Sequence, residues 1–250
     1  MEIWQGVTLI LVGTLAGFIN VMAAGGSMIT VPVMIFMGIP GPVANGTNRI
    51  AILAQNITAA FAFFRKGYSD FKLSLSLSLC ALPGAIVGAL VGTRLEGVWF
   101  NRILAIIMII MMVVMSIKQK PVPADQVSAE PTRQRLFAGH VLMVLAGFYG
   151  GFIQIGVGFI LLPILHRVLG LDMVRTNMHK VFIIASYTIF ALAIFITQVE
   201  IMWLLGICLA IGNSMGGWLG AHVSVKKGDA VIKMVLNVVL VLFIIKLLFF

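Results

Sequence analysis

The sequence predicts an all-α, polytopic integral membrane protein. Three observations carry that prediction: 61% of the 250 residues are apolar, only 10% are charged, and the apolar residues gather into long runs separated by short polar breaks. A soluble domain carries about 25% charged and 45–50% apolar residues, and the mean hydropathy of +1.12 lies far from that balance. A water-soluble enzyme of ordinary composition is excluded. A bilayer core about 30 Å thick takes roughly 20 apolar residues per helix, so the chain has room for at most about ten crossings and for no sizeable domain outside the membrane.

The first run, 4–24, follows Met1-Glu2-Ile3 without the basic start and small-residue cleavage site of a secretory leader, so it is expected to be retained as a helix. Run 27–38 is short. Twelve residues at 1.5 Å rise reach about 18 Å, which predicts a half or broken helix. Runs 45–64, 73–93 and 98–117 are each long enough to span. After the polar stretch Lys118 to Arg135 the series resumes with 136–155, a second short run at 157–166, then 174–197, 201–221 and 230–250. The whole chain, 1–250, reads as one transmembrane domain with a first repeat at 1–118, a polar linker at 119–135 and a second repeat at 136–250.

The two halves match at an offset near 130, so a duplication accounts for their likeness. Leu15-Ala16-Gly17-Phe18 corresponds to Leu145-Ala146-Gly147-Phe148, Pro32 to Pro163, Thr47-Asn48 to Thr176-Asn177, and Asp70 to Glu200. Cys80, Gly84, Gly88 and Gly92 correspond without a gap to Cys208, Gly212, Gly216 and Gly220. Basic residues concentrate in cytoplasmic loops. With ten crossings, Arg65, Lys66, Lys72, Lys118, Lys120, Arg133, Arg135, Arg167, Arg175, Lys226, Lys227 and Lys233 share one side against Arg94 and Arg102. That asymmetry favours five segments per half, an inverted repeat and both termini outside the cytoplasm, with an eight-crossing arrangement as the alternative. The excess of 17 Lys+Arg over 8 Asp+Glu therefore reads as orientation and not as a nucleic-acid surface.

Two sets of residues stand out as a candidate site. Gly25-Gly26-Ser27 and Gly156-Val157-Gly158 break the chain at matched positions beside the two short runs. Paired breaks of this kind point to a midplane substrate site in repeat-built transporters, whereas the plainer reading is close helix packing. The second set is polar. Asn45, Asn48, Arg49, Gln55 and Asn56 fall on one stripe of a helix, and His179 and Lys180 continue toward Ser186 and Tyr187 in the second half. Helix N-termini disfavour cations, so Arg49 and Lys180 at the openings of these runs suggest an anion held between cation and backbone N–H groups. The alternative is that both snorkel to lipid headgroups.

On the anion reading Arg49 and Lys180 hold the charge, while Thr47, Asn48, Thr176, Asn177 and His179 donate hydrogen bonds. Gly25, Gly26, Ser27, Gly156 and Gly158 offer backbone N–H groups, with Asn20 and Gln154 as weaker candidates. Arg49→Gln is expected to abolish anion binding without disturbing folding. The glycine ridges at four-residue spacing read as packing surfaces, and Cys80 and Cys208 as buried thiols. No catalytic set, metal-ligand spacing or nucleotide loop is present in the sequence, so no cofactor is expected.

The segment Gly17 to Pro32 with its Gly25-Gly26 break, Gly46-Thr47-Asn48-Arg49-Ile50-Ala51, the corner Gly67-Tyr68-Ser69-Asp70 and the Gly84-Gly88-Gly92 ridge resemble the TauE/SafE family of membrane permeases. The likeness covers essentially the whole chain. It implies a multi-pass protein of the bacterial inner membrane that exports sulfite or an organosulfonate. The expected partners are thus a small anion and the lipid bilayer, with a homodimer left open and nucleic acid excluded. Membrane potential suffices to drive an anion outward, and His179 is the candidate for any proton coupling. Uptake of another small anion or solute, and a membrane-embedded enzyme or scaffold gripping lipid headgroups, are the competing functions.

Overall fold

A computed structural model describes residues 3–23, 25–95, 97–116 and 131–226. Among these the regular structure is helical: α1 (Ile3–Ala23), α2 (Ser27–Phe36), α3 (Gly41–Arg65), α4 (Phe71–Gly92), α5 (Gly97–Ser116), α6 (Arg133–Phe152), α7 (Val157–Pro163), α8 (Met173–Gln198) and α9 (Trp203–Lys226). A π-helical turn, Ile164–Val168, continues α7 past Pro163. The apolar run 230–250 and residues 119–130 of the polar linker lie outside the described residues.

Helix ends follow local chemistry. The Asp70 side chain accepts the Leu73 N–H at 3.2 Å to start α4, and Asp172 accepts the Arg175 N–H at 2.9 Å to start α8. Both carboxylates satisfy orphan donors of a first turn and oppose the positive end of the helix. Helix α3 begins at Gly41, with a proline in its first turn, four residues before the polar motif that the sequence suggests as its opening. Arg49 therefore stands in the third turn and Lys180 in the second turn of α8, well inside their helices.

Helix α2 has ten residues, about 15 Å of rise, which is half a bilayer core. The short α7 with its π turn is its counterpart, and the matched Pro32 and Pro163 lie inside these two pieces.

Packing pairs each half with the other. Helix α1 lies along α9 and α6 along α4, α3 packs on α9 and α8 on α4, and α3 meets α8 between the two groups. The glycine ridges set the closest contacts. A Cβ on Gly84 or Gly88 would stand 2.0 Å from the carbonyl oxygen of Val144 or Phe148 on α6, and one on Gly212 or Gly216 at 2.1 or 2.0 Å from that of Ile10 or Thr14 on α1. Only glycine permits this approach, so the ridges are packing surfaces.

The surface and the interior are inverted relative to a soluble protein. Leu11, Phe64 and Phe137 are 66%, 65% and 73% exposed, while Arg49, Asn48 and Thr47 are wholly buried. Five described helices are long and apolar enough to cross a membrane. An apolar exterior around a polar centre is the arrangement a bilayer demands, and the protein is an all-helical, multi-pass membrane protein.

Candidate functional site

The polar stripe of α3 and its counterpart on α8 both face inward. Asn45, Asn48, Arg49, Gln55 and Asn56 are buried, as are Thr176, Asn177, His179 and Lys180. Neither cation lies in lipid, so the snorkelling alternative is removed.

What the cations touch differs from the expectation of an unneutralised charge. Arg49 Nη1 donates to Gly150 O at 3.1 Å, and Nη2 donates to Gly151 O and, at 3.4 Å, to Phe152 O. Those three carbonyls end α6. Lys180 Nζ donates to Asn20 O at 3.1 Å and to Val21 O at 2.9 Å, near the end of α1, and to Asn177 Oδ1 at 2.9 Å. The third helix of each half thus caps the first helix of the other. A helix that stops inside a bilayer leaves carbonyls without donors, and a cation satisfies them while opposing the negative end of the helix dipole. The same residues that the sequence marks as an anion site also hold the helix breaks together.

The two caps are chemically unequal. The Arg49 guanidinium lies 4.2 Å from the centre of the Phe195 ring, while its Nε has no hydrogen-bond partner. Around it, Asn48 Nδ2 and Asn45 Oδ1 are likewise buried and unpartnered, while the buried Tyr187 hydroxyl and the Gln154 side chain have each other as partners. The neighbourhood is set by shared contacts. Asn45 Nδ2 donates to Phe152 O at 3.2 Å, a Cβ on Gly150 would meet Tyr187 Oη at 2.6 Å, and Gln154 follows α6 by two residues, its Nε2 donating to Thr188 Oγ1 at 2.9 Å. Gln154 takes φ +62°, the left-handed conformation that usually falls to glycine after a helix end.

The other predicted residues take structural partners. Ser27 Oγ accepts the Gly156 N–H at 3.2 Å, so the two breaks meet and that donor is not free. Gly156 adopts φ +71°. A Cβ on Gly26 would lie 1.9 Å from Ala16 O, and one on Gly25 at 3.3 Å from the Phe159 ring; both glycines serve close packing. Gly158 is buried in the first turn of α7. Asn48 Oδ1 accepts from Thr30 Oγ1 at 2.7 Å, tying α2 to α3, and Thr47 Oγ1 accepts the Met202 N–H at 3.1 Å. Thr176 Oγ1 donates to Leu171 O at 3.4 Å, and Asn177 Nδ2 to Ser224 Oγ at 3.0 Å. Asn20 Nδ2 and Asn213 Nδ2 both donate to Gln55 Oε1, at 3.3 and 3.2 Å. His179 points away from this centre, with Nδ1 2.8 Å from Ser74 Oγ on α4.

Sequence reasoning did not assign Tyr187, Phe195, Thr30 or Asn213 to the site. Tyr187 lies seven residues beyond Lys180 on the stripe that helical spacing already traces, although that spacing gives it no role in the site; Phe195 carries no such signal. A recess of about 260 Å³ beside the turn after α2, lined by Gln5, Met37, Gly38, Ile39, Pro40, Met202 and Leu205, contains none of the predicted site residues. Among the described residues no three of His, Cys, Asp and Glu gather as a metal site.

The sequence matches the family model described as "Sulfite exporter TauE/SafE" over residues 9–247. It is 29% identical over 94% of its length to 88% of a "Probable membrane transporter protein ORF9" of a Sinorhizobium species. It is 26% identical over 96% of its length to 88% of the "Probable membrane transporter protein YfcA" of Escherichia coli K12, and 25% identical over 89% of its length to 86% of a "Probable membrane transporter protein" of Haemophilus influenzae. No solved structure matches significantly. These names and the fold mark a membrane transporter and not an enzyme.

Proposed function

The chain belongs to the TauE/SafE family, and from that premise we propose that this membrane transporter carries a small sulfur-containing anion, sulfite or an organosulfonate, outward across the bacterial inner membrane. The observation that supports this reading is the Arg49 centre. A helix C-terminus is equivalent to about half a negative charge, so the end of α6 offsets only part of the guanidinium. Among the described residues no carboxylate lies within 4.0 Å of Arg49 or Lys180. A net positive interior remains, with unpartnered donors at Arg49 Nε and Asn48 Nδ2. Unfilled donors on and beside a buried cation suit an oxyanion, which accepts several charge-assisted bonds.

The substrate binds first at the unfilled donors and then draws the guanidinium away from the carbonyls of α6. Binding then loosens a cap that joins the two halves, and release restores it. This gives a physical link between occupancy and rearrangement, because a ligand shifts an equilibrium only through contacts that differ between its states. Energy is sufficient without a second ion: an inside-negative potential contributes about 2.3 kcal/mol per charge per 100 mV, against about 1.4 kcal/mol for each tenfold concentration difference.

Counterflow of radiolabelled sulfite and sulfoacetate into proteoliposomes of the purified protein tests the reading. Exchange that exceeds protein-free vesicles is expected for at least one of them. A well-folded protein that exchanges neither removes the sulfur-anion assignment.

A further inference from the structure

Away from the Arg49 centre, a second polar cluster joins α8 to the start of α4. His179 is wholly buried, and its Nε2 lies 3.9 Å from Oδ2 of Asp70, whose side chain is 31% exposed. His179 Nδ1 contacts Ser74 Oγ at 2.8 Å, while Nε2 is buried with no hydrogen-bond partner. Asp70 uses its other oxygen, Oδ1, to cap α4. One carboxylate thus fixes a helix start and presents a free oxygen to a buried imidazole.

We propose that Asp70, His179 and Ser74 form a proton-binding site that couples transport to a proton. The proposal rests on the transporter reading above and goes beyond it, since potential alone suffices for export. The chemistry balances on one atom. A neutral imidazole takes a proton on its bare ring nitrogen and becomes imidazolium, the Asp70 carboxylate balances the charge, and release reverses the step. The Ser74 hydroxyl either donates to Nδ1 or accepts from it, so it accommodates both forms. The charged groups facing His179 are Asp70 from the α3–α4 corner, and Arg175 and Asp172 from its own helix. Both carboxylates cap a helix, but of the two Asp70 is the one within 4.0 Å of the ring, so it is placed to receive the new charge.

The separation supplies the coupling. A charge-assisted bond closes to about 2.7–2.9 Å, roughly 1 Å shorter than the gap present. Protonation therefore draws α8 toward the start of α4. Lys180 is the next residue, and its ammonium holds the end of α1, so a shift of α8 reaches the cross-half cap directly. Asp70 is part exposed, and protons enter from that side.

Two measurements on the full chain test this. In proteoliposomes with an entrapped pH dye, net flux of sulfoacetate, which has no group titrating near neutral pH, is expected to move protons in the wild type. Asp70→Asn, which keeps the helix cap, and His179→Gln, which keeps a bond to Ser74, are expected to lose the proton movement and to flatten the pH profile of net flux. Independently of any substrate, a double-mutant cycle on thermal unfolding in mixed micelles is expected to show Asp70–His179 coupling that grows as the pH falls from 8 to 4. Sulfoacetate flux with no proton movement in the wild type overturns the proposal, as does a cycle with no pH-dependent coupling. Coupling in the cycle without sulfoacetate transport supports the proton site and rejects sulfoacetate as the substrate instead.

Discussion

Replacing Arg49 with glutamine tests the cap most directly, and the structure predicts a large loss of stability. The guanidinium makes two good bonds to the carbonyls of Gly150 and Gly151 and a longer one to Phe152. Each hydrogen bond to a charged group contributes about 1.5–3 kcal/mol, and the contact with the Phe195 ring adds roughly 0.5–2 kcal/mol. A glutamine amide can restore one bond at most. The net loss is therefore about 3–5 kcal/mol, a large share of the 5–15 kcal/mol typical of a folded domain. The sequence alone suggests a variant deficient only in binding, and the α6 contacts argue against that simplicity. Arg49→Lys separates the two roles. Lysine can cap three acceptors, as Lys180 does, but it lacks Nε and the planar fork, so it should retain most of the stability and lose anion affinity by tenfold or more. The assay is denaturant unfolding in mixed micelles alongside sulfite binding. An Arg49→Gln protein as stable as wild type would refute the capping argument.

Two further perturbations follow from the packing. Gly88→Ala and Gly216→Ala each place a Cβ 2.0 Å from a backbone carbonyl oxygen, so the paired helices must separate by about 1 Å. Overpacking of this kind costs about 1–3 kcal/mol, whereas Gly97→Ala, with nothing within 4 Å of the added atom, should be neutral by thermal unfolding in micelles. Gln154→Gly relieves a left-handed residue, a gain of about 1 kcal/mol, and removes the bond to Thr188, a loss of about 1 kcal/mol. Its stability should match wild type within about 1 kcal/mol while sulfite counterflow falls, and equal counterflow rates would take Gln154 out of the site.

The element pattern was legible because a bilayer imposes one requirement on every segment. Among the described residues, apolar runs, ended by Asp70 or Asp172 or interrupted at Gly25-Gly26 and Gly156, map onto the helices within a few residues. The candidate site was legible in its membership but not in its bonding. Helical spacing brings Asn45, Asn48 and Arg49 to one face, and burial follows from their polarity. It cannot say that the partner of Arg49 is the end of α6, because that contact joins residues about a hundred positions apart and depends on how the halves interlock. The sequence also aligns Asn48 with Asn177, which puts Lys180 out of strict register with Arg49. The two side chains nevertheless cap equivalent helices, since a long flexible stem tolerates a shift that a strand register or a short side chain would not.

That equivalence also locates the functional asymmetry. An ammonium has three donors, and Lys180 directs all three at Asn20 O, Val21 O and Asn177 Oδ1. A guanidinium has five N–H groups, and the α6 carbonyls engage only its two terminal nitrogens. The remaining nitrogen, Nε, is buried among other polar atoms that lack partners. A site with every donor filled can hold a fold together but offers a ligand nothing without first breaking a bond. A site with donors to spare can do both. The framework therefore has one cap suited to structure alone and one suited to structure and substrate, and the choice of arginine over lysine at a single position is enough to make the difference.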